Sequence, residues 1–199
     1  MDKRLLPILI IVAWAILLYL AYQLETVDSG RNFGVKIILT HPDGTTTEIY
    51  PDQPTLTTYL GSQEITAITY VLEARAQLVS GEADQVYLDL SNFKVEWTPM
   101  RNGQIVNQFQ TTLTPTKNSL SIPVDDKWHT IFSKTVDVSE YSSQVSTTEN
   151  WVVVINHCYP IRYSVNQTHW DTYQFESPLQ LQLTVKPDSV YITFTPKTS

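Results

Sequence analysis

The hydrophobic and polar positions of this chain divide it into two unequal parts. Residues 5–24 form an apolar run in which Gln23 is the only strongly polar side chain. About 20 apolar residues, at roughly 1.5 Å of helical rise each, cross the roughly 30 Å hydrocarbon layer of a bilayer. A segment inside lipid must also satisfy its own backbone hydrogen bonds, which a helix does. The run therefore predicts a single transmembrane signal-anchor helix that contacts membrane lipid through residues 5–24.

The charges that flank this run predict its orientation. Lys3 and Arg4 precede it, whereas Glu25 and Asp28 follow it, and the next base is Arg31. Cytoplasmic flanks carry the excess of basic residues. We therefore expect a cell-membrane protein with a cytoplasmic N-terminus and an extracytoplasmic C-terminal part.

A cleaved signal peptide is the alternative interpretation of the same run. Its apolar core would be about 7–15 residues long and would end at small residues. Here the core is longer, and residues 21–25 (AYQLE) lack the small-x-small pattern of a cleavage site. These features favour a retained anchor over a removed one.

After residue 34 the pattern changes to short alternating segments separated by turn residues. Alternation with a period of two is typical of half-buried strands. The segments that predict strands are 35–40, 45–50, 85–90, 93–98, 104–114, 119–124, 130–138, 151–157, 161–165, 179–186 and 190–195. Residues 41–44 (HPDG) and the Asn102-Gly103 pair have the composition of tight turns. The longest polar connection, residues 139–150, predicts an exposed loop.

Residues 64–79 fit two different periodicities. Ile68, Tyr70 and Leu72 alternate like one face of a strand, but residues 65, 68, 72, 76 and 79 also fit helical spacing. The β-branched residues early in the segment favour a strand. We predict a strand and leave the helix as the alternative.

The number and spacing of these segments predict an all-β fold. Ten or so short strands with regular turns are typical of an antiparallel β-sandwich, here of immunoglobulin-like, Greek-key form. The predicted domains are a cytoplasmic tip with the anchor helix (1–24), a juxtamembrane linker (25–34) and an extracytoplasmic β-sandwich domain (35–199).

Charge and cysteine content narrow the class of partner. The chain has 13 Lys and Arg against 20 Asp and Glu, a formal net charge of −7. Nucleic acid selects clustered basic residues, so we expect no nucleic-acid partner.

Cys158 is the only cysteine, which excludes an intrachain disulfide. Its apolar neighbours at 152–155 predict a buried, inert thiol.

Among metal centres, a copper site is the one whose ligand types this sequence matches best. Cys158, His169 and Gln174, with His129 upstream, supply the ligand types of a blue-copper site on a β-sandwich. Ten residues separate Cys158 from His169, however, which is long for a single ligand loop, and no Met follows the cysteine. We predict no metal and no cofactor, and a cupredoxin-like electron-transfer subunit stays as an alternative function.

No sequence motif indicates catalysis. The chain lacks the nucleophile-elbow, zinc-protease, phosphate-binding and dinucleotide-binding patterns. His157 and Cys158 are adjacent, and adjacent strand residues point to opposite faces, so they do not predict a catalytic dyad. We expect no enzyme activity.

Asn166-Gln167-Thr168 is a glycosylation sequon, which makes Asn166 a possible glycan acceptor outside the cytoplasm.

The remaining sequence feature that bears on function is a cluster of aromatic residues. Tyr159, Tyr163, Trp170, Tyr173 and Phe175 concentrate in one segment. Core packing is the default explanation of aromatic residues in strands, and a surface patch for a partner is the alternative, for which this segment is the best candidate. We therefore predict a non-enzymatic, single-pass protein that acts by protein–protein interaction with other membrane or envelope proteins, as an accessory subunit of a membrane complex or cell-envelope assembly. A secreted filament or pilus-like subunit that exchanges an edge strand is the other alternative.

Overall fold

A computed structural model describes residues 11–19, 26–27, 32–50, 57–59, 65–142, 151–175, 179–186 and 189–196, with backbone alone for 57–59, 141–142, 179–186 and 189–196. Within these ranges the chain is all-β, with seventeen strands that pair antiparallel and little helix. In chain order the strands are β1 (Thr26–Val27), β2 (Phe33–Thr40), β3 (Thr46–Ile49), β4 (Thr57–Tyr59), β5 (Ala67–Ala74), β6 (Leu78–Ser80), β7 (Gln85–Asp89), β8 (Lys94–Arg101), β9 (Gln104–Ile105), β10 (Thr111–Leu113), β11 (Ser119–Pro123), β12 (His129–Asp137), β13 (Trp151–Cys158), β14 (Ile161–Ser164), β15 (Asp171–Tyr173), β16 (Leu179–Lys186) and β17 (Ser189–Pro196).

Helical structure is confined to short segments of the described chain. Residues 11–19 are α-helical (α1), with every side chain exposed. A single 3₁₀ turn covers Asn107–Phe109, and α2 covers Ser139–Ser142 at the start of the predicted 139–150 loop. None of the helices in the described ranges is long and apolar enough to cross a membrane. The rest of the predicted span, residues 5–10 and 20–24, lies outside the described residues.

The strands form three larger sheets and one small pair. Sheet I has the order β12-β5-β2-β3, sheet II has the order β10-β8-β13-β16-β17-β4 with β9 also paired to β8, and sheet III has the order β11-β7-β14-β15. The small pair joins β1 to β6. Residues 26–27 of the predicted linker therefore already belong to a sheet, and β2 begins at Phe33, two residues before the predicted strand.

Sheets II and III are two halves of one bent layer. Asp89 of β7 pairs with Arg162 of β14 in sheet III, and a few residues on, Lys94 of β8 pairs with Cys158 of β13 in sheet II. The strand pairs are interrupted together, at residues 90–93 and at the turn around Tyr159, whose φ of 68° is left-handed. Strands that switch sheets through such bends form the corners of β-sandwiches.

The bent layer packs against sheet I around one apolar core. Side chains alternate between buried and exposed along the strands, as the period-two pattern predicts. The buried set includes Ile37 and Leu39 of β2, Tyr70 and Leu72 of β5, Val86 and Leu88 of β7, Val95 and Trp97 of β8, and Trp151, Val153 and Ile155 of β13. All three sheets thus contribute to a β-sandwich-like arrangement with the large aromatic residues at its centre.

Strand rather than helix is confirmed for the segment 64–79, since Ile68, Tyr70 and Leu72 of β5 are fully buried. The segment is not one continuous strand, however, because residues 75–77 separate β5 from β6, which pairs with β1. The predicted strand 104–114 is wrong, since it is divided into β9, a 3₁₀ turn and β10. Pro99 of the neighbouring β8 explains the interruption. It has no N–H to donate to a continuous partner, and its carbonyl instead accepts the Val106 N–H at 2.9 Å.

Both predicted tight turns are present. Gly44 N–H donates to the His41 carbonyl at 2.9 Å and closes the β2–β3 hairpin. Asn102 (φ 52°) and Gly103 (φ 81°) join β8 to β9 with two consecutive left-handed residues. That geometry favours Asn-Gly because glycine adopts it without steric cost.

Candidate functional site

The exposed side of sheet III carries polar residues aligned across three strands. The strand register places Ser119 of β11, Asp89 of β7 and Arg162 of β14 in one row. The next row contains Ser121 and Tyr87. Val86 and Leu88, the alternate residues of β7, are buried in the core. The exposed side of the sheet is therefore a polar platform with an apolar underside.

A surface groove of about 480 Å³ lies over this platform. We name it the Trp170 groove. The polar and aromatic residues that line it are Tyr87, Asp89, Ser119, Ser121, Arg162, Gln167 and Trp170. Its floor is the sheet, and its wall is the connection between β14 and β15.

That connection, residues 165–170, is held by a dense set of hydrogen bonds. The Asn166 side-chain oxygen accepts bonds from the Thr168 N–H (3.0 Å), the Thr168 hydroxyl (2.9 Å) and the His169 N–H (3.0 Å). The buried Ser164 hydroxyl accepts the Gln167 N–H at 2.9 Å and donates to the His169 carbonyl. Side-chain bonds of this kind replace the ladder bonds that a loop lacks, so the wall of the groove is preorganised.

The Trp170 indole is fixed on two sides. Its Nε1–H donates to the Gln167 carbonyl at 3.1 Å, and the Arg162 guanidinium lies 5.1 Å from the ring centroid. Arg162 Nη1 also lies 3.4 Å from Asp89 Oδ2. The pKa of Asp89 is lowered, first by hydrogen bonds from Ser91 and then by the Arg162 charge. Asp89 is therefore ionised at neutral pH and offsets the charge of Arg162.

The aromatic segment 159–175 divides between core and surface. Tyr173 packs against Phe33 with ring centroids 4.5 Å apart and against Phe175 at 5.2 Å. Tyr159 is 61% exposed, with Lys94 Nζ 5.8 Å from its ring centroid. Sequence reasoning found the segment, but it did not find Tyr87, Ser119 or Ser121 as part of the groove. Those residues come from other strands, and only the strand register brings them there.

Asn166, the predicted glycan acceptor, is the centre of the groove wall. The hydrogen bonds that its side chain accepts from Thr168 and His169 all use the amide oxygen. The amide nitrogen, which carries the sugar in a glycosylated asparagine, is not consumed by them. Glycosylation at Asn166 stays a prediction.

A second polar contact lies inside the core, between sheets I and II. Tyr70 of β5 and His157 of β13 are joined by a 2.8 Å bond between the Tyr70 hydroxyl and His157 Nε2. The imidazole stacks on Phe175 with centroids 4.1 Å apart, and its Nδ1 is buried without a hydrogen-bond partner. Burial lowers the pKa of His157 to about 4 and raises the pKa of Tyr70. Both side chains are therefore neutral at pH 7.

Cys158 lies on the opposite face from His157, as the alternation of strand residues requires. The predicted full burial of its thiol is wrong: Cys158 is only partly buried, and its Sγ lies 3.6 Å from Asn156 Nδ2 on the outer side of sheet II. The core-facing positions of β13 are Ile155 and His157, so Cys158 faces outward. Desolvation and then the Glu96 carboxylate raise the pKa of Cys158, which disfavours the reactive thiolate.

The residues considered for copper do not come together. His129 Nε2 lies 2.8 Å from Asp125 Oδ1, and His169 Nε2 lies 3.8 Å from Asp171 Oδ1. In the part of the chain that the structure describes, no three His, Cys, Asp or Glu side chains are grouped to hold a metal ion.

A second tryptophan–arginine pair lies outside the Trp170 groove. The Arg75 guanidinium is 5.3 Å from the Trp128 ring centroid and forms an ion pair with Asp126 at 3.6 Å. Trp128 is 45% exposed and covers Gly34, where an added Cβ would meet its ring at 3.3 Å. The pair has the same chemistry as Arg162 and Trp170, but it lies on sheet I, where Glu73 is the register partner of Gly34.

Comparisons of this chain with protein-family models, with curated proteins and with solved structures find no match.

Proposed function

We propose that this protein is a single-pass, membrane-anchored, extracytoplasmic β-sandwich of immunoglobulin-like, Greek-key form that acts by protein–protein interaction. It serves as an accessory subunit of a membrane complex or cell-envelope assembly. The observation that supports this proposal best is the Trp170 groove, a preorganised surface site. Trp, Tyr and Arg are the residues most enriched at the energetic centres of interfaces, and the groove contains one of each.

The ionisable groups of the groove favour binding over catalysis. Asp89 and Arg162 lie 3.4 Å apart, and the lowered pKa of Asp89 keeps it charged. A general acid or base works best with a pKa near the operating pH, and Asp89 is moved away from that range. The base next to Ser119 in the floor is Asp89, and the lowered pKa of Asp89 makes it a weak base.

Loss of the groove is expected to release the protein from its complex. Full-length protein carrying Trp170→Ala or Arg162→Glu should migrate at a smaller native size after mild solubilisation of its own membranes. The matched control is Trp128→Ala, which removes an indole with the same arginine contact elsewhere on the surface. Dilution of the unmodified protein until its complex dissociates gives the native size of the free protein. If both groove variants keep the larger native size of the complex, the proposal is contradicted.

The anchor is expected to fail when charge is placed at its centre. An arginine at mid-span costs roughly 2.5–3.5 kcal/mol on insertion scales, so Leu17→Arg should lower the membrane-integrated fraction resistant to alkaline extraction, whereas Leu17→Ile should not. Replacing Lys3 and Arg4 with Glu should disturb orientation, as measured by protease access to the C-terminal part.

The intact mass of the native protein separates the anchored form from the filament alternative. A mass that retains residues 1–24 agrees with a signal-anchor. A mass that lacks them contradicts it and favours a secreted or filament-forming subunit.

A further inference from the structure

The floor of the Trp170 groove offers directional hydrogen-bonding groups at strand spacing. Asp89 is an acceptor, Arg162 is a donor, and the hydroxyls of Tyr87, Ser119 and Ser121 can act as either. Neighbouring strands lie about 4.8 Å apart, so these groups form a regular two-row array. Asp and Ser are depleted at protein–protein contacts, whereas Arg is enriched, and this floor contains Asp89 and two serines. The floor thus suits a ligand with many hydroxyl groups.

The wall of the groove supplies the opposite chemistry. Trp170 presents a flat apolar ring whose position is fixed by the 3.1 Å bond to the Gln167 carbonyl and by Arg162. An aromatic ring has a negative face that attracts weakly positive C–H bonds. A pyranose ring combines a face of C–H bonds with an edge of hydroxyl groups. Because the Arg162 guanidinium lies over one face of the indole, one side of such a sugar ring can stack on the other face or on the ring edge, while its hydroxyl groups reach the floor.

The electrostatics of the groove argue for an uncharged ligand. The Asp89 and Arg162 charges offset each other, and the whole chain carries a net charge of −7. Phosphate and other anions select sites with several unpaired basic groups. The volume of about 480 Å³ falls within the roughly 300–1,000 Å³ of small-molecule sites. The groove is also open to solvent, so a ligand can extend from it as a longer chain.

From these observations we infer that the Trp170 groove binds a neutral pyranose sugar, presented as a glycan on the partner protein. The inference rests on the proposed function, because it names the chemistry by which the interaction site recognises its partner. Trp170 stacks on the sugar ring, and Asp89, Arg162 and the floor hydroxyls bind its hydroxyl groups.

Binding is tested with the full-length protein and simple sugars. The probes are the methyl glycosides of glucose, galactose, mannose and N-acetylglucosamine, with methyl N-acetylneuraminic acid as a charged comparison. The protein is held in nanodiscs or in an amine-oxide detergent, because the headgroup of an alkyl-maltoside detergent is itself a pyranose and would compete. Saturation-transfer difference NMR and tryptophan fluorescence report binding.

At least one neutral glycoside is expected to bind in the millimolar range, with saturation strongest at the C–H protons of one ring face. Trp170→Ala should weaken binding by about tenfold or more, which corresponds to about 1.4 kcal/mol or more. Trp170→Phe should retain part of the affinity, and Trp128→Ala should bind like the parent.

Ser121→Arg provides a variant that leaves the wall intact. Ser121 is exposed on β11 and does not take part in the hydrogen bonds of residues 165–170, so the substitution fills the floor without disturbing the fold. It should abolish sugar binding while the thermal transition stays at the parent temperature.

The outcomes separate this inference from the proposed function. If none of the neutral glycosides binds, or only the charged sugar does, the sugar inference is wrong. If in that case Trp170→Ala still releases the native complex, the groove contacts the protein surface of its partner and the proposed function stands. If sugars bind but the groove variants leave the complex intact, the proposed function is wrong and the sugar site is independent of it.

Discussion

A chain truncated after Ser177 is expected to be insoluble or readily digested by protease, because it lacks both β16 and β17. β13 pairs with β8 on one side and with β16 on the other, where five residue pairs run from Trp151–Leu183 to Ile155–Leu179. Removal of β16 leaves those backbone groups of β13 without their partners and turns a central strand into an edge. β4 also loses its pairing, since β17 is the strand to which it is hydrogen-bonded.

The energetic reason lies in the strand that becomes exposed. Trp151, Val153 and Ile155 of β13 are buried, and each apolar side chain of this size contributes about 1.5–3 kcal/mol when fully buried. The net stability of a domain is only about 5–15 kcal/mol. Partial exposure of these residues, together with unpaired backbone, is therefore enough to unfold the sandwich.

A truncation after Pro196 is the matched control, since it removes only residues 197–199, beyond β17. It should keep the parent's cooperative thermal transition in circular dichroism. A soluble product of the Ser177 truncation with a transition like the parent's would show that the β16–β17 hairpin is dispensable.

Point substitutions refine the same test. The register places Leu183 opposite the buried Trp151 and Gln182 opposite Val152. Residues directly opposite each other share a face of the sheet, so Leu183→Asp puts a charge on the Trp151 face and should destabilise severely. Gln182→Asp puts the same charge on the other face and should have a small effect.

Acidification is expected to lower the free energy of unfolding by about 3 kcal/mol between pH 6.5 and pH 4, through His157 alone. The folded-state pKa of His157 is about 4, below its ordinary value of 6.5, because the imidazole is buried. The unfolded chain therefore binds a proton first as the pH falls. The stabilisation is complete above pH 6.5, is lost progressively down to pH 4, and does not fall further below it, at about 1.4 kcal/mol per pKa unit.

The double variant His157→Phe with Tyr70→Phe isolates this effect. It removes both ends of the 2.8 Å hydrogen bond, so no buried polar atom of the pair is left without a partner. Between pH 6.5 and 4 its stability should fall by about 3 kcal/mol less than that of the parent, as measured by urea unfolding. A double variant with the parent's slope would assign the acid sensitivity to other groups.

Carboxylates with lowered pKa values also contribute in the lower part of this pH range. Glu48 and Glu96, whose ordinary pKa is 4.5, have pKa values lowered first by side-chain hydrogen bonds from Tyr50 and Lys94, respectively. Asp89, Asp125 and Asp137 have pKa values lowered from 3.8, in each case first by a side-chain hydrogen bond. Their stabilising effect is present above the unfolded pKa and is lost as the pH falls below it. The loss from these groups therefore overlaps the lower end of the pH range in which His157 acts. Because the parent and the double variant share these carboxylates, the difference between their slopes isolates His157.

The alternation of apolar residues was sufficient to predict most strands, because burial on one face imposes a period of two. Ile37 and Leu39, or Val153 and Ile155, follow that rule directly. The interruption at Pro99 depends on a missing N–H in a neighbouring strand, and the bend at Tyr159 depends on one left-handed residue. Neither changes the hydrophobic pattern of the segment in which it acts.

The groove was harder to predict than the fold. Trp170 and Tyr159 were found as an aromatic cluster, yet Tyr173 and Phe175 belong to the core. Ser119 and Tyr87 lie far from Arg162 in the sequence, and the pairing of β11, β7 and β14 brings them together. Residue type predicts chemistry, whereas the position of a site depends on strand order, which composition does not encode.

The small β1–β6 pair ties the start of the described β-structure to the surroundings of the groove wall. Val27 of β1 lies against Tyr163, Asn166 and His169, next to the groove wall. Val27 is three positions after Leu24, the end of the predicted span, and three extended residues reach at most about 10 Å. If the proposed anchor is present, the groove wall beside Val27 would therefore lie close to the lipid surface, and the proposed ligands would be those carried by the same membrane.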